Sequence, residues 1–562
     1  MKIGIYLGYK PFSPGASLKK EGLGRYLATL IENLLKKDNK IVVACPKWVE
    51  GLLQELFDEY NMNINDIELI STISNPIVVQ LYYKMALRKG RKKSIIRAKL
   101  SNAIDALFEF AFSILLSIEN KTITTIMAIF FFAVFVLMLP FMLLFVAVAC
   151  IIKVVLLVLK KTLGINVINR DTLKSIIVKI ASLPILSSFK WRFIKEIRSK
   201  DVLEKLRINA AKKLISKISK LKEPADVWYA PMAFWPEFND IRGVTVTCIP
   251  DIVMDEFPIH FSSLSSSATM ASILAESVEN GKYFITYCNY IKESILINKY
   301  GIEAEKIKPI MMFVNETNND INVKNSFKYH ENANSLFSKL VLSALSLKSV
   351  NKLNPQYFYG EKFFPFNDIK YIFYSSQVRF HKNILSLVKA YEYLLKSEKI
   401  TCKLFLTGNY NENTELSNYI ESHGLQDDVL CFCNVDNQML AALYACAELS
   451  VNPTLYEGGF PFTFSEGMSV GTPSIMSDIP QVREFVENWN IDDCIFDPYD
   501  YKDIADKIVY GLNNRQKLYQ KQKPLYEMHS ERTSSGRAGE EYIEAFKYFI
   551  ELDKKEKLTL DI

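Results

Sequence analysis

Short apolar runs and stretches of helical period alternate along most of this chain. Residues 2–7 form a near-continuous apolar run, the pattern of a buried strand. A loop with Pro11, Pro14 and Gly15 leads to Gly22-Leu23-Gly24. Leu27, Leu30, Ile31 and Leu34 then recur at helical spacing, and residues 41–44 read as the next strand. Strand, glycine-rich loop, helix and strand predict a Rossmann-like beginning, with Gly22 and Gly24 in the loop. The rhythm returns at residues 225–231, 244–249 and 283–288, the last followed by a helix over 289–300. A second series starts with a strand at 369–374 and a helix carrying Leu385, Leu387, Val388, Tyr391 and Leu394. It continues through strands at 404–407 and 429–433, a helix at 437–445, and strands at 449–451 and 474–476. Helices are expected after Phe496, the last over 538–552. The pattern describes two α/β domains.

The first series is interrupted by a region of another kind. Residues 122–152 hold no charged residue, and the apolar character runs on to Leu159. A single helix over 122–159 would be about 57 Å long, nearly twice the roughly 30 Å hydrocarbon layer of a bilayer. Pro140 divides the stretch into two segments, each near the lower limit for spanning. Arg88, Lys89, Arg91, Lys92, Lys93 and Arg97 precede it, and Lys160 and Lys161 follow. Keeping both basic flanks on the cytoplasmic side predicts a membrane hairpin rather than a single crossing. Residues 106–118 add an apolar run broken by Glu109. Residues 189–222 mix basic residues with Phe189, Trp191, Phe193, Ile194 and Leu214, which suits a helix lying on anionic headgroups.

At 562 residues the chain is too long for one core. The expected division is an N-terminal Rossmann-like domain (1–83 and 223–314), an inserted membrane-associated region (84–222, hairpin about 122–159), a polar hinge segment (315–366), a C-terminal domain (367–535) and a terminal helix (536–562). The net charge of +6 is concentrated: residues 84–99 carry eight basic residues and no acid, and residues 190–222 carry twelve against Glu196, Asp201 and Glu204. The remaining chain is acidic and would repel nucleic acid. The nine cysteines show no framework, and Cys431 and Cys433 lack the partners of a zinc site, so reduced thiols and no metal are expected. The start, MKIGIYLGY, is too short an apolar run for a signal peptide.

Candidate chemistry is densest over residues 452–484, NPTLYEGGFPFTFSEGMSVGTPSIMSDIPQVRE. Two carboxylates, Glu457 and Glu466, stand among glycines and aromatics, and paired sugar hydroxyls are natural partners for such groups. Gly458 and Gly459 let a backbone come close to a ligand, and Glu466 reads as the start of the following helix, where unpaired N–H groups favour anions. A carboxylate at a helix start is also stabilised by the dipole alone, by roughly 0.3–1 kcal/mol. Upstream, Ser375-Ser376-Gln377-Val378-Arg379-Phe380-His381-Lys382-Asn383 opens a helix and supplies cations.

The stretch resembles the signature of the retaining, nucleotide-sugar-dependent glycosyltransferases of family 4 (group 1). Tyr456-Glu457-Gly458, Pro461, Glu466, Gly471-Thr472-Pro473, Ser477-Asp478, Pro480 and Arg483-Glu484 carry the resemblance. Lys382-Asn383 matches the family's basic pair. The resemblance is strongest over 369–484 and leaves out the inserted region. There are departures. Eight residues separate the two glutamates where seven are usual, and Ser375-Ser376 stand where a glycine and arginine are expected, which makes Arg379 the substitute cation. Pro250-Asp251 replaces His-Asp, and Cys288 replaces a serine.

The resemblance implies the GT-B fold, two Rossmann-like domains facing across a cleft, here with an inserted α-helical hairpin. It implies transfer of a hexose-like sugar from a nucleotide-sugar donor to a hydroxyl, with retention of configuration. Lys382 and Arg379 would stabilise the diphosphate, Glu457 with the Gly458-Gly459 backbone would position the sugar, and Glu466 would hold the ribose. Gly22 and Gly24 would face the donor phosphates, and Asp251 would lie on the acceptor side. His381 is a further candidate to assist. No cofactor or metal is implied beyond the co-substrate. The hairpin points to a lipid-linked or other membrane-associated saccharide acceptor, an anionic membrane surface as partner, and the cytoplasmic face of the cell membrane as location. Two non-enzymatic readings compete: a membrane-anchored nucleotide-sugar-binding scaffold without catalysis, and a lipid-surface adaptor built around the basic helix.

Overall fold

The computed structural model describes residues 1–12, 22–60, 62–76, 79–80, 200–258, 260, 265–313, 369–433 and 435–560. The hairpin expected at 122–159, most of the inserted region and the hinge segment 315–366 lie outside the described residues. Residues 1–75 and 204–562 form one compact unit. Among the described residues of that unit, the strands make two sheets.

The first sheet comprises β1 (Lys2–Tyr6), β2 (Lys40–Cys45), β3 (Ile67–Ser71), β4 (Val227–Ala230), β5 (Thr245–Ile249), β6 (Tyr283–Thr286) and β7 (Ile307–Pro309), in the order β3-β2-β1-β4-β5-β6-β7. The second comprises β8 (Tyr371–Tyr374), β9 (Lys403–Thr407), β10 (Val429–Phe432), β11 (Leu449–Asn452), β12 (Ser474–Ser477) and β13 (Ile495–Phe496), in the order β10-β9-β8-β11-β12-β13. All pairings are parallel. Parallel strands are covered on both faces, which is why β4, β6, β8, β10, β11 and β12 are buried at every position; the first four read as near-continuous apolar runs, while β11 and β12 also bury Ser450, Asn452, Ser474 and Ser477.

In each sheet the chain winds outward from a central strand and then reverses, so order switches between β1 and β4 and between β8 and β11. Loops leaving the C-terminal ends of such neighbours diverge and open a crevice, the usual ligand site of a doubly wound sheet. In the second sheet those loops are 375–383 and 453–461.

Two C-terminal helices tie the domains together. In Arg515–Thr533, the Gln522 amide bonds both backbone groups of Ser474 on β12. In Ser535–Leu560, buried Tyr542, Phe546 and Phe549 pack into the core of the first domain. The Tyr26 hydroxyl lies 2.7 Å from that of Tyr229 and 2.5 Å from that of Tyr542, so one hydrogen-bonded tyrosine group joins the first helix, β4 and the terminal helix. Lys37–Glu540 and Lys282–Asp553 ion pairs hold its edges.

The basic helix differs from its sequence reading. Its described part, Lys200–Ile218, buries Ala210, Ala211, Leu214 and Ile218 in the first domain's core, and Arg207 pairs with Glu237 at 2.6 and 2.9 Å. From Glu204 onward this helix therefore belongs to the N-terminal domain, not to the insertion. Its apolar face is covered by protein and cannot dip into lipid. What it presents outward is Lys205, Lys212 and Lys213, with Lys220 and Lys222 just beyond. No helix among the described residues is long and apolar enough to cross a membrane.

Phe546 is fully buried, 5.6 Å from the Tyr229 ring. Phe546→Ala is expected to cost about 3–5 kcal/mol, read as a lower midpoint of chemical unfolding. An unchanged midpoint would mean that the terminal helix does not brace the first sheet.

Candidate functional site

The site is assembled by short polar side chains that tie the two switch-point loops together. Asn383 adopts a left-handed backbone (φ 52°), a conformation asparagine tolerates better than most residues. Its amide donates to the carbonyls of Pro453 (3.0 Å) and Pro498 (2.7 Å). From the other loop, Leu455 N donates to the His381 carbonyl at 2.7 Å, and the Thr454 hydroxyl lies 3.1 Å from the same oxygen. Asn452 closes the arrangement through Thr463 Oγ1 at 2.9 Å. With both loops fixed, Lys382 Nζ meets Glu457 Oε1 at 2.6 Å in a half-buried ion pair.

Glu457 lines a cleft of about 870 Å³ between the two domains, together with Asp251, Arg379, His381, Gly458 and Gly459. Arg379 is exposed to it, and its guanidinium makes no hydrogen bond or ion pair among the described residues. Asp251, just after β5, is exposed on the cleft, and the protein on its other sides takes part of its solvation. Desolvation raises its pKa and Glu457 adds to the rise, against the pull of Lys382 and Arg379. His381 is buried, and burial, with Lys382 and Arg379 nearby, lowers its pKa to about 3. At neutral pH it is uncharged, so any help it gives a phosphate is as a neutral hydrogen-bond donor and not as a cation.

Three other placements depart from the sequence reading. Glu466 is not at a helix start: the helix is Phe462–Ser469, preceded by Pro461, and Glu466 sits in its interior. There it accepts a 2.9 Å hydrogen bond from the Tyr444 hydroxyl, and it is not among the residues lining the 870 Å³ cleft. Lys382 is not among them either and reaches the cleft through Glu457. Lys382, Glu457, Arg379 and Asp251 form one group at this cleft, while Glu466 bonds Tyr444. Gly22 and Gly24 fall in the first turn of the helix Gly22–Lys36 rather than in a loop, and Leu23 between them lines the cleft.

Gly458 serves the protein's own backbone before any ligand. A Cβ there would overlap the Pro250 carbonyl oxygen. At Gly459 it would stand 3.3 Å from Tyr287 Cβ. The glycine turn of the second domain therefore nests against the ends of β5 and β6 in the first. Three further contacts, absent from the sequence reading, hold this approach. Ile252 N donates to the Tyr456 hydroxyl at 3.1 Å. The Cys288 thiol lies 3.5 Å from the Gly458 carbonyl. Glu484 accepts from Asn289 N (2.9 Å) and Tyr290 N (3.1 Å), capping a helix of the opposite domain. Cys288 is inert here, since burial pushes its pKa up to about 12. His529 was also missed; it lines the cleft, bonds Ser465 at 3.1 Å, and burial takes its pKa to about 4. Cys431 and Cys433 are free thiols, and no metal-ligating group of three or more His, Cys, Asp or Glu occurs among the described residues.

Comparison with known proteins gives the class. The chain is similar in structure to Anabaena Alr3699/HepE in complex with UDP and glucose, with a TM-score of 0.52 at 12% identity over 97% of this chain and 99% of that one. It is similar to much the same degree to a point mutant of Staphylococcus aureus TarM in complex with fondaparinux, alpha-GlcNAc-glycerol and UDP, with a TM-score of 0.51 at 12% identity over 97% and 99%. These likenesses define the fold as GT-B. In sequence, residues 360–525 match the family model of glycosyl transferases group 1. No curated protein matches. The findings support a GT-B glycosyltransferase, with the group 1 match confined to residues 360–525.

Gly458→Ala should therefore destabilise by about 1–3 kcal/mol through overpacking, and Gly459→Ala by less, both measured by thermal or chemical unfolding. Equal, negligible losses would place the glycine turn away from Pro250. The sign of the Asp251 shift gives a pH prediction. A carboxyl whose folded pKa is raised destabilises the fold as pH climbs from the ordinary carboxyl range, roughly 4, toward the raised value. Asp251→Asn should gain stability over the wild type across that window and keep the gain above it. A stability difference independent of pH counts against the desolvated carboxyl.

Proposed function

We propose that the protein transfers a hexose-like residue from a nucleotide sugar to a hydroxyl of a membrane-associated or lipid-linked saccharide, with retention at the anomeric carbon. The observation that carries this reading is the Lys382–Glu457 pair, held by Asn383 at the strand-order switch of the second sheet. Retention rests on the resemblance to family 4. The bond from the anomeric carbon to the diphosphate breaks, a bond to the acceptor oxygen forms on the same face, and the acceptor's proton leaves with the nucleoside diphosphate.

Breaking that bond loads negative charge onto the diphosphate, and fixed cations in a partly dehydrated cleft lower its energy. Lys382 and Arg379 take this role. A diphosphate arriving at Lys382 competes with Glu457 for it, and the released carboxylate then accepts hydrogen bonds from the sugar. Glu466, held by the Tyr444 hydroxyl, takes the ribose hydroxyls. Gly459 supplies backbone to the sugar while Gly458 keeps the domains in contact. The helix beginning at Gly22 and Gly24 faces the donor across the cleft, and Asp251 lies on the acceptor side. Contact between the domains also excludes water, whose attack would waste the donor.

The acceptor class and the location at the cytoplasmic face of the membrane rest on the apolar stretch 122–159 and the basic flanks. The lysines turned outward from the helix Lys200–Ile218 support electrostatic attachment to anionic lipid.

Thermal stabilisation by a panel of nucleoside diphosphates tests the donor site; Lys382→Ala should abolish the shift and lower turnover at least ~100-fold. Glu466→Ala should abolish turnover with the fold intact. A diphosphate that binds without sugar transfer or donor hydrolysis would favour the scaffold reading, and near-normal rates in both variants would overturn the assignment. Protein lacking residues 100–165 should lose membrane association on fractionation; unchanged association would overturn the hairpin.

A further inference from the structure

The two walls of the cleft differ in chemistry. Arg379 and Glu457 come from the C-terminal domain, and Asp251 adjoins them across the Gly458 contact. The N-terminal wall beyond Asp251 is mostly apolar, with Met232, Phe234, Met254, Met270, Met311 and Met312, and its polar members are Tyr287 and His260, the latter stacked on Phe380. Five of the six apolar residues are only half-buried, so they keep apolar surface on the cleft instead of spending it in the core. Phe380 and Phe462, 42% and 39% exposed, continue the apolar lining on the other side.

Such a wall is a poor match for a bare saccharide. A thioether is at most a weak acceptor and donates nothing, so hydroxyls pressed against it would lose their hydrogen bonds to water without replacement. A flexible hydrocarbon group suits it: methionine is unbranched and polarizable and moulds to irregular apolar shapes. Apolar surface left open inside a cavity of this size, beside a few converging polar groups, marks a ligand site.

We infer that the acceptor carries a hydrocarbon group that enters the cleft itself, attached close to the hydroxyl that receives the sugar. This rests on the transferase reading and narrows it: the apolar moiety is recognised by the catalytic cleft, not only anchored in a distant bilayer. The polar end of the acceptor lies toward Asp251 and Glu457, and the hydrocarbon lies along the methionines.

The probe is an octyl glucoside bearing a diazirine on its alkyl chain, photolysed with the purified full chain below the detergent's micelle concentration, followed by peptide mapping. Labelling is expected on peptides containing Met254, Met270 or Met311-Met312. Excess octyl glucoside should reduce it at least threefold, and excess methyl glucoside should leave it unchanged. The double variant Met254→Gln/Met312→Gln should lower it at least fivefold. Labelling confined to other segments, equal competition by the methyl and octyl compounds, or full labelling of the double variant overturns the inference. Because the map on the wild type is decisive by itself, a variant that folds poorly does not remove the test. Thermal stabilisation by UDP and the other nucleoside diphosphates is measured on the same sample. Diphosphate binding without cleft labelling leaves the transferase reading standing and sinks this one. Cleft labelling without any diphosphate binding overturns the transferase reading and the acceptor inference with it, leaving only an apolar ligand site.

Discussion

The close approach of the Gly458 backbone to the Pro250 carbonyl is the constraint on which the cleft depends. Two sheets, each with its own core, meet where a side chain as small as a methyl group would not fit. The approach brings Glu457 next to Asp251, puts the Tyr456 hydroxyl on Ile252 N, and lets Glu484 cap the helix that starts at Asn289. Each contact alone is modest, on the order of 1 kcal/mol for a hydrogen bond. They act together because the same turn makes them, and because the C-terminal helices join the two domains a second time on another side. A protein hinged at only one of these places would have a cleft whose width is set by the ligand; here much of the geometry is present beforehand.

That preformed geometry bears on the electrostatics. Lys382 and Arg379 face Glu457 and Asp251, while His381 and His529 are kept neutral by burial. The balance of two cations against two carboxylates avoids an uncompensated charge in a partly enclosed space, which would be costly. On the proposed reading, an incoming diphosphate meets the unpaired Arg379 but takes Lys382 only from Glu457, so the lysine's share of the affinity is a difference between two pairings. Asp251 has a raised pKa chiefly because the protein desolvates it; Lys382 and Arg379 offset part of that rise and Glu457 adds a smaller one.

The fold was legible in the chain because parallel strands buried on both faces leave continuous apolar runs. The runs at 2–7, 283–288, 369–374 and 449–451 correspond to β1, β6, β8 and β11 within a residue or two. Local motifs located the two loops as well. What the sequence hid was everything decided by the meeting of distant segments. Gly458 looked like a ligand glycine because nothing local says that Pro250, more than two hundred residues earlier, fills the space. Glu466 looked like a helix start because Gly458 and Gly459 suggested a longer turn, whereas the helix begins earlier, right after Pro461. The basic helix looked amphipathic for lipid because its apolar face fits a protein core equally well, and the core took it. Tyr456 and Glu484 stood out only as motif positions, and His529 gave no signal; the contacts they make across the domains come from neighbours in space.

The Lys382-Asn383 pair shows how a two-residue motif divides its labour. Asparagine is the member that the fold requires: its left-handed backbone ends the preceding turn, and its amide spans two carbonyls from separate loops. Lysine is the member that the chemistry requires, and its position follows from its neighbour. An alanine at 383 would keep the cation and lose its aim, and an alanine at 382 would keep the frame and lose the charge. The two losses are physically different even though both would appear as inactivity. The same distinction separates Gly458 from Glu457 on the facing loop, one residue shaping the cleft and the next acting within it. On the proposed reading, the residues that would touch a donor form a thin layer over positions that hold two loops and two domains at fixed distance. The short spacing of the motif reflects that pairing of support and chemistry along one backbone.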